Sequence, residues 1–309
     1  MLDIVIRTII PILLLIGTGL FSRRIGILKS GDERVLSAYV YYFAFPALFF
    51  VNMIETTFTE DTLRFMLAAV VPVLVALTIY ILLYLIFRFP RDLFYLVVLS
   101  TTFGSLAFFG IPFITFAFPE QGEPVATLAA VSISVVSVTI SILTLELFQL
   151  KEAKILEGSK TVAKKLSRNP LIISIFSGIF LSLVGVEIPY FISQPLHMLG
   201  GTTSTVAIFM LGVFLHGRKY TNLGKAFKLS LLRIVFLPII AFLSTSLFQL
   251  SGIERPTLIL MHGMPVAISM IVLSERYNFY KATIASLILI SSLGAGIYLN
   301  LWLLLLGYY

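Results

Sequence analysis

Apolar runs long enough to cross a bilayer recur along the chain, and short polar or basic stretches separate them. A transmembrane helix needs about 20 consecutive, mostly apolar residues. The pattern therefore predicts an all-α integral membrane protein with ten transmembrane helices, numbered here as spans 1 to 10. The spans are placed at 4–21, 35–53, 65–87, 93–118, 124–147, 170–187, 197–216, 229–250, 256–274 and 281–306.

The composition agrees with a membrane protein and excludes several other classes. Of the 309 residues, 59% are hydrophobic and only 12% are charged, whereas a soluble domain has about 25% charged residues. No stretch is polar enough to form a second, soluble domain. The chain has no cysteine, so it has no disulfide and no thiolate metal site.

The basic residues are distributed unevenly between the two sides of the predicted membrane. Eighteen of the 22 Lys and Arg residues lie in the loops that follow odd-numbered spans. Basic loops remain in the cytoplasm, so we expect these loops inside the cell and both termini outside the plasma membrane. The membrane topology then accounts for the net charge of +7. This charge was the only feature that favoured nucleic acid as a partner.

The longest polar stretch, 150–169, divides the chain into segments 1–149 and 170–309 with five spans each. Because five is odd, the second segment enters the membrane from the opposite face, so the two segments are predicted to form inverted repeats joined by a cytoplasmic linker. Span 4 contains a Gly-Ile-Pro triplet at 110–112, and span 9 contains a Gly-Met-Pro triplet at 263–265. Paired Gly/Pro interruptions in corresponding spans are typical of a transporter binding site.

Each triplet predicts a helix break near the centre of the membrane. Proline suits the first turn of a helix, so we expect Pro112 and Pro265 each to begin a second half-helix. The first turn of a helix has unpaired N–H groups and a partial positive charge, which attract an anion such as a carboxylate. The alternative is that both prolines only kink their helices.

Polar residues near the two triplets complete the candidate site. His262 is a candidate for proton coupling or for binding a carboxylate, with a neutral structural histidine as the alternative. Ser137 and Ser141 share one face of span 5 and mark a candidate ion path, with simple helix packing as the alternative. No cofactor and no metal are expected, and the coupling ion is either H⁺ or Na⁺. The candidate substrate-binding residues are Ser105, Gly110, Ile111, Pro112, His262, Gly263, Pro265 and Ser269.

Four segments resemble the auxin efflux carrier family, and the similarity extends along essentially the whole chain. They are IPILLLIGTGLFSRRIGILKSGDERVLSAYVYYFAFPALFF (10–50), FGSLAFFGIP (103–112), RNPLIISIFSGIFLSLVGVEIP (168–189) and MPVAISMIVLSERYNF (264–279). The short central loop is similar to that of the bacterial members. One departure concerns Ser105, because many members have Asn seven residues before the proline of span 4.

The resemblance implies a fold related to the bile acid:sodium symporters. Spans 1, 2, 6 and 7 would form a scaffold, and spans 3–5 and 8–10 a transport domain in which broken spans 4 and 9 cross. It further implies a homodimeric secondary transporter of a small organic anion with elevator-type alternating access. The substrate would be a mono- or dicarboxylate such as malate or malonate, or an auxin-like acid.

Three other functions have less support in the sequence. A sodium-coupled organic anion carrier similar to the bile acid symporters is the nearest alternative. A membrane sensor that binds the ligand without moving it belongs to a different class, and no signalling domain supports it. An intramembrane enzyme needs a catalytic pair or a metal cluster at depth, and no such signature stands out in the sequence.

Overall fold

The computed structural model of the chain describes residues 2–149, 164, 167–217, 220–270, 273–274 and 277–308. Within these ranges the secondary structure is helical except for one isolated β-bridge. The helices are α1 (Leu2–Arg24), α2 (Asp32–Glu55), α3 (Glu60–Phe87), α4 (Arg91–Thr102), α5 (Leu106–Ala117), α6 (Gly122–Gln149), α7 (Pro170–Leu183), α8 (Tyr190–Leu215), α9 (Leu223–Leu247), α10 (Glu254–His262) and α11 (Lys281–Leu305).

Six of these helices, in the described part of the chain, are long and apolar enough to cross a membrane: α2, α3, α6, α8, α9 and α11. Helices α5 and α7 are shorter but also apolar. The prediction of an all-helical, multi-pass membrane protein is therefore confirmed. The arrangement of ten spans in two inverted repeats stays a prediction, and most of the expected linker, 150–169, lies outside the described residues.

Local sequence signals explain where several helices begin and end. The Thr59 hydroxyl accepts a hydrogen bond from the Thr62 N–H and so caps α3. Asn169 caps α7 in the same way, and Pro170 follows at the first helical position, where its missing N–H costs nothing. Arg88 has a φ of 47° and ends α3 in the left-handed conformation.

One group of helices packs closely through small residues. Helix α1 lies along α8, and α2 lies along both α7 and α8. A Cβ atom added at Gly19 would lie 2.0 Å from the carbonyl oxygen of Phe209, and one added at Gly212 would lie 2.0 Å from that of Ile16. Both glycines therefore allow two backbones to approach directly, as is common between membrane helices.

A second group of helices surrounds the broken segments. Helix α3 packs on α6 and α9, while α9 also packs on α10 and α11, and α4 and α5 pack on α6. The helices of the first group are those of predicted spans 1, 2, 6 and 7. Their assignment as a scaffold, and that of the second group as a moving domain, stays a prediction.

We expect Gly212→Ala to destabilise the protein by about 2 kcal/mol or more, because the new methyl group collides with a backbone oxygen that cannot move independently of its helix. The measurement is thermal unfolding in detergent. Gly17→Ala on α1 is the matched control, since nothing lies within 4 Å of a Cβ atom there. Equal melting temperatures for the two variants would contradict the close packing of α1 on α8.

Candidate functional site

Two interrupted helices meet through their non-helical connecting segments. After α4 ends at Thr102, the non-helical residues 103–105 lead to the start of α5. They pair in antiparallel fashion with residues 265–267, which follow α10. The Ser105 N–H donates to the Pro265 carbonyl at 2.7 Å, and the Ala267 N–H donates to the Phe103 carbonyl at 3.0 Å. The two breaks therefore lie in direct contact, although about 160 residues separate them in the sequence.

The position predicted for the first break is wrong by several residues. Gly110 has helical backbone angles, φ −67° and ψ −53°, and it lies inside α5 together with Ile111 and Pro112. The π-helical turn Leu106–Gly110 precedes Pro112 without interrupting the helix. Pro112 therefore does not begin the half-helix, which starts at Leu106.

Gly110 instead has a packing role. A Cβ atom at this position would lie 2.7 Å from the sulfur of Met261 and 3.1 Å from Cγ of Met264. The missing side chain lets α5 contact the end of α10. Gly110 thus allows close approach between the two broken helices and is not a hinge in one of them.

The second break lies where the sequence predicts it, but Pro265 has a different role from the expected one. Helix α10 ends at His262, and the Gly263 N–H closes its last turn by bonding the carbonyls of Ile259 and Leu260. Pro265 lies in the extended crossing segment and offers its carbonyl oxygen to the other break. The next helical turn begins only after Ala267, with the Met270 N–H bonding the Ala267 carbonyl.

After each break, several backbone N–H groups come before the first hydrogen bond of the next helical turn. In the described chain, the N–H groups of Leu106, Ala107 and Phe108 have no acceptor, because the first intrahelical bonds come from Phe109 and Gly110 to the Ser105 carbonyl. The N–H groups of residues 268 and 269 likewise have no acceptor among the described residues. These are the groups that a helix N-terminus presents to an anion.

A cavity of about 460 Å³ is lined by the residues that carry these N–H groups. Its inner end is formed by Leu106, Ala107 and Phe108 from one break and by residues 267–269 from the other. The remaining walls come from α2, α6, α8 and the start of α7, so the cavity lies between the two packing groups. Aromatic side chains line much of it: Tyr41, Tyr42, Phe45, Phe49, Phe103, Phe108 and Phe214.

Among the described residues that line the cavity, the charged ones are Glu33 and Arg34. Glu33 and Arg34, at the start of α2, form its mouth. A second, polar recess of about 370 Å³ adjoins this mouth and is lined by Arg23, Arg34 and His216 as well as Glu33. The lining thus changes from charged residues in the polar recess to aromatic residues in the cavity.

The predicted serines divide into those that line the cavity and those that do not. Ser269 lines it and is partly exposed. Ser141 also lines it, but its hydroxyl donates to the Ser137 carbonyl of its own helix at 2.7 Å. The Ser137 hydroxyl is buried without a partner among the described residues, and so is that of Ser105. Ser105 contributes to the crossing through its backbone N–H and carbonyl groups.

His262 points away from the cavity. Its Nε2 atom lies 2.9 Å from the carbonyl oxygen of Ala69 on α3. Because a carbonyl can only accept, Nε2 carries the hydrogen. The ring is fully buried and Nδ1 has no partner in the described structure, so an added proton on Nδ1 would have no acceptor. The geometry fits a neutral imidazole that links α10 to α3, and the coupling role stays a prediction.

Arg233 joins the two breaks from the side opposite to the cavity. This residue of α9 is completely buried. Its Nε donates to the Met264 carbonyl at 2.9 Å, Nη1 to the carbonyls of Thr101 and Thr102 at 2.6 and 3.3 Å, and Nη2 to the Met261 carbonyl at 3.4 Å. One cation therefore satisfies the free carbonyl groups at the C-terminal ends of both α4 and α10, where helix dipoles are negative.

The backbone around Arg233 is adapted to this arrangement. Arg233 lies in the π-helical turn Leu232–Phe236 of α9, and the Trp302 indole N–H bonds the Ile234 carbonyl at 2.9 Å. A Cβ atom at Gly104 would lie only 1.7 Å from Nη2 of Arg233. Gly104 is thus the position where the guanidinium rests against the crossing segment, and it also lines the cavity.

The sequence does indicate Arg233, although this residue is not among the predicted site residues. An arginine within a span is energetically costly and marks a functional position by default. Three basic residues fall inside predicted spans: Arg7, Arg233 and Lys281, which is the first residue of span 10. Its partners, however, are backbone carbonyls of two distant segments. Carbonyl groups are present at every residue, so no side-chain pattern identifies which ones it binds.

Membrane helices with two broken segments that contact each other beside a cavity are typical of membrane transport proteins. The comparison of sequences agrees: residues 4–303 match the model of the Mem_trans family, described as membrane transport proteins. The chain belongs to this family, and the resemblance to auxin efflux carriers is confirmed.

The chain is also similar over nearly its full length to two proteins that are named as uncharacterized transporters. It is 26% identical over 303 residues to the uncharacterized transporter MJ1031 of Methanocaldococcus jannaschii, covering 95% of this chain and 96% of the relative. It is 24% identical over 321 residues to the uncharacterized transporter YfdV of Escherichia coli K12, covering 98% of each. Neither name identifies what is transported.

Proposed function

We propose that the protein is a secondary active transporter of a small organic anion, whose carboxylate binds at the inner end of the cavity. The observation that carries this proposal is that the residues with unbonded N–H groups after both breaks line one cavity. The free N–H groups of residues 106–108 and 268–269 offer donors to a carboxylate without any charged side chain in contact with it.

The surrounding charges favour an anion at this place. Arg233 lies behind Gly104, which lines the cavity, so a buried positive charge stands next to the wall where the carboxylate would bind. At the outer end, two arginines, Arg23 and Arg34, and one carboxylate, Glu33, border the adjoining polar recess. Basic groups at the mouth of a cleft raise the local concentration of anions.

The cavity walls favour a substrate with an apolar body. Phe45 and Phe108 form an edge-to-face pair with ring centres 4.6 Å apart, and Phe45 also stacks on Phe49. An aromatic or branched aliphatic monocarboxylate, including an auxin-like acid, would place its body against these rings. A dicarboxylate such as malate or malonate would need a partner for its second carboxylate among these rings, so it is the second choice.

The transport cycle that we propose is elevator-like. The cavity lies between the packing group of α1, α2, α7 and α8 and the group that carries both breaks, so movement of one group against the other would expose it alternately to each side. Its mouth lies at the start of α2 and α7, next to loops that the basic residues assign to the cytoplasm. The proposed location is the plasma membrane, with both termini outside and a homodimer as the assembly.

The test is uptake into liposomes that contain the purified protein. We expect accumulation or exchange of at least one radiolabelled monocarboxylate with an aromatic or aliphatic body, such as phenylacetate or indole-3-acetate, and slower flux of malonate and malate. Protein-free liposomes supply the background. Faster malate than phenylacetate flux would reverse the choice of substrate class. Background flux of every acid, with proton and sodium gradients in both directions, would reject the proposed function.

A further inference from the structure

We propose that the guanidinium of Arg233 is a resident cation that occupies the oxygen cage at the crossing of the two broken helices, in the place of a transported coupling cation. The carrier would then need no sodium ion at this position. The inference rests on the proposed function in one respect, because only a carrier has a coupling ion to replace.

The first support is the set of ligands. Unwound backbone carbonyls and the C-terminal ends of half-helices are the groups that bind coupling Na⁺ ions in transporters with broken helices. Here the carbonyl oxygens of Thr101 and Thr102 come from one break, and those of Met261 and Met264 come from the other. All four are hydrogen-bonded to Arg233, so the oxygen atoms that would bind a sodium ion already bind a positive group.

The second support is the lack of space for another cation. The guanidinium is so close to the backbone that even a methyl group at Gly104 would overlap it. Arg233 is fully buried, and among the described residues no carboxylate is paired with it to offset a second positive charge. A sodium ion could bind these oxygens only after the guanidinium had left them.

The third support is that Arg233 cannot readily leave or lose its charge. An arginine keeps its proton in proteins, and four of its five N–H donors are used by the carbonyls. Withdrawal would leave a buried charge and several buried carbonyls unpaired, which costs several kcal/mol. A coupling ion must bind and dissociate in every cycle, whereas this cation is covalently part of α9.

The first experiment measures sodium binding by the wild-type protein in detergent, with radioactive Na⁺ as the probe and no organic anion present. We expect no saturable binding, and the same melting temperature in sodium chloride and in choline chloride of equal ionic strength. Saturable Na⁺ binding, or a melting temperature that rises with Na⁺ alone, overturns the proposal.

The second experiment empties the cage with Arg233→Ala. We expect this variant to melt at a lower temperature in choline chloride, and we expect sodium chloride or a few millimolar guanidinium chloride to raise its melting temperature by several degrees, because either cation binds the vacated oxygens of the folded state. A residue that only fills space would not produce this selectivity for small cations. Choline, which is too large for the cage, serves as the reference salt.

The matched control is Arg255→Ala. Arg255 lies on α10, and its guanidinium stands 4.8 Å from the ring centre of Phe242 instead of in a carbonyl cage. If sodium and guanidinium stabilise Arg233→Ala no more than Arg255→Ala, the proposal fails. Should Arg233→Ala not fold, the wild-type binding measurement decides alone. Neither measurement uses an organic anion, so failure here leaves the proposed function standing, and failure of anion flux leaves this result unchanged.

Discussion

Gly104→Ala is expected to destabilise the protein by about 3 kcal/mol or more. We anticipate no larger effect from any other single added methyl group in the described structure. The new Cβ atom would lie 1.7 Å from Nη2, 2.3 Å from Cζ and 2.9 Å from Nε of Arg233. The guanidinium has to move, and its carbonyl partners in both breaks are then left without a donor. Breaking a buried charge network in this way costs about 3–5 kcal/mol.

Thermal unfolding in detergent measures this effect, and Gly201→Ala is the matched control. Gly201 lies within α8 and has nothing within 4 Å of an added Cβ atom, so its replacement should be neutral or slightly stabilising. The double variant Gly104→Ala with Arg233→Ala should lose less than the sum of the two single variants, because the clash needs both groups. A Gly104→Ala protein as stable as Gly201→Ala would disprove the contact.

Ser269→Asp is expected to reduce binding of the transported anion by about 100-fold or more. The new carboxylate would lie in the first turn after the second break, on the cavity wall. An acidic side chain at a helix N-terminus is stabilising, so it would occupy the N–H groups that the substrate needs. It would also repel the substrate, and opposed like charges cost several kcal/mol.

Binding is measured as the shift in melting temperature produced by the carboxylate that gives the largest shift with the wild type. Ser269→Asn is the control, since it has nearly the same size and shape as Asp but no charge. We expect Ser269→Asp to melt at or above the temperature of Ser269→Asn without ligand, and to lose the ligand-induced shift that Ser269→Asn retains. Equal ligand shifts in the two variants would place the anion elsewhere.

The two Gly-x-Pro triplets illustrate how far a local pattern can be interpreted. The triplet at 263–265 lies at a real break, where Gly263 ends α10 and Pro265 runs extended. The triplet at 110–112 lies inside α5, because the π-helical turn before Pro112 accommodates the proline without a break. The same three-residue pattern thus has two outcomes, which the pattern alone does not distinguish.

The sequence predicts that Ser105 binds substrate through its side chain, but its backbone has the clearer role in the structure. Its N–H bonds the Pro265 carbonyl, and its own carbonyl accepts the first two bonds of α5. A substitution from Asn to Ser changes only side-chain atoms, so it does not alter these bonds. Whether its buried hydroxyl contacts substrate stays a prediction, as do the substrate-binding roles of the other candidate residues.

The sequence by itself determined that this is a helical, multi-pass membrane protein of a transporter family, because the length and apolarity of its runs and its motifs are properties of single segments. Only the tertiary structure decided where the first helix is broken, that His262 faces α3, and that Arg233 holds both breaks. Those features depend on backbone N–H and carbonyl groups brought together from distant segments. Every residue carries such groups, so the packing of the helices determines which of them pair, and the identity of the side chains does not.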